Sequence, residues 1–109
     1  MLAVVVAVVP AAAIASTTAY VGGGLLSGTV EACIKDMKMA ADKNGFTESQ
    51  ETVMSDDKKS GDFHANHKDS PMHFTANCAP KAGVWSMSVS GIDNDMTFEM
   101  YGKVWDAIP

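Results

Sequence analysis

The chain has 109 residues and a formal net charge of −5 at neutral pH, from thirteen acidic and eight basic side chains. Every basic residue is a lysine. Acidic charge without arginine excludes the common modes of nucleic-acid binding, which need a basic face for phosphate and favour arginine for base readout. No polybasic stretch is present that would hold an anionic membrane surface.

No charged side chain precedes Glu31. Met1 to about Ala19 is almost wholly apolar, and Ala13-x-Ala15 and Thr17-x-Ala19 are small-residue sites of the kind a signal peptidase accepts. The expected organisation is an export leader, or an uncleaved anchor to the inner membrane through residues 1–26, with a Gly-rich linker closing the segment at residue 28. The stretch Leu2 to Leu26 is long enough to span a bilayer. Pro10 and Gly22-Gly23-Gly24 act against one straight helix, and the leader lacks the positive n-region of a standard signal. A single small domain is expected over residues 29–109, periplasmic or secreted.

From Thr29 to Asn44, Val30, Cys33, Ile34, Met37, Ala40 and Ala41 recur at helical spacing. Thr29 is a suitable N-cap, Glu31 favours the first turn, and Asn44-Gly45 gives a left-handed stop. After Gly45 the period becomes alternating. Phe46 to Ser55 reads as a polar strand, Asp56 to Gly61 as a turn, and Phe63, Ala65 and His67 alternate with His64 and Asn66. Beyond the reversal at Lys68 to Pro71, Met72, Phe74, Ala76 and Cys78 point one way and His73, Thr75 and Asn77 the other. A turn at Ala79 to Gly83 leads to Trp85, Met87 and Val89 alternating with Ser86, Ser88 and Ser90. Met96 to Trp105 supports two readings. Alternation and the strand propensity of Thr97, Phe98, Tyr101 and Val104 favour a strand, while Met96, Met100, Val104 and Ile108 form a helical stripe.

The expected fold is α+β, with one N-terminal amphipathic helix on a four- or five-stranded antiparallel meander sheet. Roughly eighty to ninety mature residues would bury only about 60–65% of their unfolded surface, so the domain gains from a staple. Cys33 and Cys78 are the only cysteines. Behind an export signal an even count favours a disulfide, and both residues fall on core faces. A bond closing that loop would contribute about 4 kcal/mol in the chain-entropy model.

Through Cys33, the Asn44-Gly45 stop and the Phe74 to Cys78 strand, roughly Thr29 to Ser90 resembles cystatin-like and PepSY-like layouts and other small exported bacterial domains. The resemblance implies a layer arrangement and no catalytic residues. No cystatin inhibitory loop signature is visible.

His64, His67 and His73 form the one cluster with conceivable site chemistry. In the β-hairpin, His64 and His73 share the polar face as diagonal neighbours, and His67 falls on the other. Two imidazoles without a third ligand make an incomplete metal site, so plain surface histidines are the simpler reading. The eight methionines invite a Cu(I) reading. Periodicity instead assigns Met37, Met72, Met87, Met96 and Met100 to core packing and leaves Met39 and Met54 exposed. Asp93, Asn94 and Asp95 lack the glycine and distant glutamate of a calcium loop, and no serine sits in a nucleophile elbow. No catalytic residue and no cofactor is assigned.

The expected function is that of a small exported, disulfide-stapled, non-enzymatic domain binding a protein or envelope component of unknown identity. Membrane contact is expected only through the N-terminal segment. The alternative is a periplasmic copper- or zinc-binding protein using His64, His73 and an exposed methionine.

Overall fold

The computed structural model describes residues 17–109. Five strands form one antiparallel sheet in the order β1-β5-β4-β3-β2, and two helices cover one of its faces. In chain order the elements are β1 (Thr18–Leu25), α1 (Val30–Lys43), β2 (Glu48–Met54), β3 (Gly61–Asn66), β4 (Met72–Ala79), β5 (Val84–Gly91) and α2 (Asn94–Ala107). Strands β2 to β5 are the expected meander. The helix, however, follows a strand instead of opening the domain, and a second helix closes it.

Helix α1 forms for the reasons its sequence announces. The Thr29 hydroxyl accepts from the Ala32 amide at 3.1 Å, and Glu31 lies in the first turn. The helix stops where Gly45 takes φ +82°, a conformation that only glycine adopts cheaply. Its buried stripe of Val30, Cys33, Met37, Ala40 and Ala41 packs over β3 and β4. There Phe63, Ala65, Phe74, Ala76 and Cys78 alternate inward. Phe46, in the loop before β2, is fully buried against Phe74 with ring centroids 5.8 Å apart.

The first correction concerns Gly22-Gly23-Gly24, expected as linker. These residues lie within β1, paired to β5 over Thr18–Leu25. Thr18, Tyr20, Gly22 and Gly24 face the helices. A Cβ on Gly22 would strike the Tyr101 hydroxyl and the Trp105 ring, and one on Gly24 would press on the Trp85 ring. Gly22 and Gly24 are therefore openings cut for aromatic side chains. Among the described residues no helix is long and apolar enough to cross a membrane. Most of the expected leader lies on residues 1–16, outside the described residues.

The second correction concerns 96–105, where helix replaces the favoured strand. Asp93 caps it, its carboxylate accepting from the Met96 amide at 2.8 Å, and Asp95 occupies the first turn. Thr97 and Val104 face the core. Trp85, Met87 and Tyr20 on the inner side of β5 and β1 need a cover that a further strand could not supply. Burial of that surface overrides the strand propensity of Thr97, Phe98 and Tyr101.

Candidate interaction edge and the open sheet face

With both helices on one side, the other side of the sheet faces solvent. Register sets its rows: Glu51, His64, Thr75, Ser88 and Val21 lie across the five strands in one, and Asn66, His73, Ser90 and Ala19 in the next. His64 and His73 are diagonal neighbours, as the alternation requires. Their rings stack with centroids 5.9 Å apart and planes 29° apart. Asn66 Oδ1 lies 2.7 Å from His73 Nδ1, and His64 Nδ1 lies 3.4 Å from the Thr75 hydroxyl. Partial burial pushes the His73 imidazole below the ordinary histidine range, and the neighbouring His64 charge pushes it the same way.

Stacked rings do not converge their nitrogens on a point, and among the described residues no group of three or more His, Cys, Asp or Glu side chains is arranged to hold a metal ion. His67 is separated from this pair. It stands edge-on to Phe46 at 5.1 Å, with Nδ1 accepting from the Asp69 amide.

Cys33 and Cys78 are both buried, and their sulfurs lie 1.97 Å apart, at bonding distance. The pair ties the middle of α1 to β4. It is a structural staple beneath the sheet, remote from the open face.

The least conventional feature is the edge strand β1. It has eight residues, no charge, no proline and a continuous register with β5. Among the described residues, no strand pairs with its other side. On the open face Val21 is 70% and Leu25 91% exposed, with Val84 beside Leu25. On the helix face, α2 runs beneath the strand. Asn94 accepts from the Tyr20 hydroxyl at one end, and Trp85 and Trp105 pack at the other with ring centroids 5.4 Å apart and planes tilted by 37°. Phe98 lies edge-on to Tyr20 at 5.1 Å, and both Phe98 and Trp105 remain substantially exposed. Backbone groups that no described strand pairs thus run between two apolar borders, the arrangement that templates an added strand.

Strand β2, at the opposite edge, is defended. A register irregularity separates Glu48 from Glu51, Ser49 takes φ +53°, and two carboxylates stand on the strand. Gln50 is turned inward, donating to Asp42 at 2.6 Å and to the Phe46 carbonyl at 2.9 Å. Lys38 and Gln50 together hold the Asp42 carboxyl below its usual range.

Sequence reasoning found the histidine pair and the cysteine pair and missed the edge. The sequence left open whether Trp105 to Pro109 dock on the body or form a tail; Trp105 lies in α2 against Trp85, and Ile108 packs against the core. The signal that could have located β1 was Tyr20, a lone polar aromatic in a segment otherwise read as leader. Comparison with protein-family models, with curated proteins and with solved structures finds no match.

Proposed function

We propose that this chain is a small exported, non-enzymatic interaction domain that binds a protein or envelope component by taking one of its extended segments onto the β1 edge. The carrying observation is β1 itself: a regular, uncharged edge, unpaired among the described residues, with Val21 and Leu25 above it and Phe98 and Trp105 below it. A chain of net charge −5 that keeps its longest unguarded edge neutral repels neither acidic nor basic partners there. The chemistry that fits is an uncharged strand with alternating bulky apolar side chains, bonded through its backbone. The cysteine pair at bonding distance accords with an oxidising compartment, periplasmic or extracellular. Processing after Ala15 would leave β1 whole, and processing after Ala19 would remove its first two residues.

The test places a photo-crosslinking amino acid at Val21 or, as the control on the defended edge, at Val53, with the full chain expressed in its native-like host. A discrete intermolecular adduct from position 21 and none from position 53 is the expected result. The reading fails if the two positions label alike, if neither labels, or if the position 21 product is internal and joins residues 1–16. Loss of the adduct when Leu25→Lys is added would tie it to the apolar border. An adduct of twice the chain mass would identify the partner as a second copy.

A further inference from the structure

We propose that Met72, Met96 and Met100 form a binding site for a soft monovalent metal ion, Cu(I) or its redox-inert analogue Ag(I). The three thioether side chains line one cavity of about 200 Å³ between the start of β4 and α2. This site lies on the helix side of the sheet, away from the stacked His64 and His73 and from the β1 edge. It uses the soft ligands that the sequence assigned to core packing.

Packing accounts for some methionines here and not for others. Met37 and Met87 are 2% exposed and fill the core, as flexible thioethers do. Met96 is 50% exposed on the first turn of α2, where burial explains nothing. Met100 follows one turn later on the same helix face and is partly buried, and Met72 on the facing strand is 7% exposed. The three residues thus grade from solvent to core around one cavity, so an ion could enter at Met96 and pass inward to Met72.

Neutral thioether sulfur is a donor for Cu(I) and a poor one for hard cations. It also keeps its lone pairs at any pH. The chain's only two cysteines are at bonding distance from each other, so the thioethers are its remaining soft ligands. His67 stands on the same cavity wall, but its Nδ1 accepts from the Asp69 amide, which leaves the proton on Nε2. It is not counted among the ligands. Glu99 at the rim is 3.3 Å from Lys103, so the entrance carries no unbalanced positive charge against an incoming cation.

The deciding experiment is a titration of the full chain, labelled with ¹³C-methyl methionine, with Ag(I) in chloride-free buffer. The Met72, Met96 and Met100 methyl resonances should move together and saturate at one equivalent, with Met37 and Met87 unmoved. Met96→Leu and Met100→Leu nearly conserve volume. Each should weaken Cu(I) binding, measured by competition with bicinchoninate, by at least about tenfold, while the doubly substituted His64→Ala, His73→Ala protein binds as before. Unchanged circular dichroism would show that the leucine variants are folded. A response confined to the exposed Met39 and Met96, a response that vanishes with the histidines, unchanged affinity in both leucine variants, or no binding would each overturn the proposal.

Discussion

The two edges of this sheet face opposite demands. Strand β2 belongs to the half built on α1, β3 and β4, where the cysteine pair joins helix to sheet and Gln50 ties the edge back to Asp42. Its carboxylates and its irregular register make it a poor template for another strand. Strand β1 belongs to the half built on β5 and α2, which the cysteine pair does not span. That half carries tilted aromatic rings packed on one another and seated against backbone that glycine leaves bare. One edge is protected and its half is stapled, while the other half has backbone pairing, hydrogen bonds and packing but no covalent tie. An unstapled edge can adjust to an incoming strand without straining a covalent link, a division of labour that suits an interaction domain.

The largest expected effect removes the asymmetry from the stapled side. Substituting Cys33→Ala and Cys78→Ala together should lower the unfolding free energy by about 4 kcal/mol, measured by urea denaturation, because the loop between them is no longer closed in the unfolded chain. Faster amide exchange is expected first in α1 and β4. A loss below about 1 kcal/mol would mean that the staple contributes little and that the two halves do not differ in the way described.

The next effect strikes the open side. Gly22→Val forces a branched side chain into the space of the Tyr101 hydroxyl and the Trp105 ring. Overpacking of this kind costs about 1–3 kcal/mol and should free β1 and α2 before β3 and β4. Gly28→Ala is the control, since a Cβ there meets nothing within 4 Å, and it should stay within about 0.5 kcal/mol of the parent. Equal effects from the two substitutions would show that the glycines of β1 are not cut for the rings beneath them.

The same contrast explains what the sequence reveals. Helix α1 and strands β3, β4 and β5 are legible because each sets a buried face against a polar one, so the period declares itself. The diagonal placement of His64 and His73 and the shared core side of Cys33 and Cys78 follow from those periods. In β1 both faces are small or apolar: Ala19, Val21 and Leu25 outward, Tyr20, Gly22 and Gly24 inward. No alternation survives to separate it from a leader. Helix α2 hides differently, since its β-branched and aromatic residues favour a strand locally and only the surface awaiting cover decides otherwise. Asp93, with Asp95 two residues on, was the capping signal that could have tipped the balance. Periodicity assigns Met96 to the core, whereas on the first turn of the helix it is half exposed.

The smallest expected effect is pH-dependent and should appear in one half only. His73 titrates below the ordinary histidine value of 6.5 in the folded protein, first through burial and then through His64. As pH falls from about 7 the unfolded chain therefore takes up its proton before the folded one does, and stability declines until the folded imidazole is protonated too. The stabilising contribution is present above 6.5 and is lost as pH falls through the lower folded value. His73→Gln should flatten the stability profile between about pH 7 and pH 5, and His64→Gln should flatten it less, because it leaves the burial of His73 in place. Amide protection factors, which take out the intrinsic pH dependence of exchange, should fall in β3 and β4 across that range and hold in β1, which carries no acidic, basic or histidine side chain. A matching loss of protection in β1 would show that this edge is coupled to the stapled half, and the separation of roles between the two edges would have to be given up.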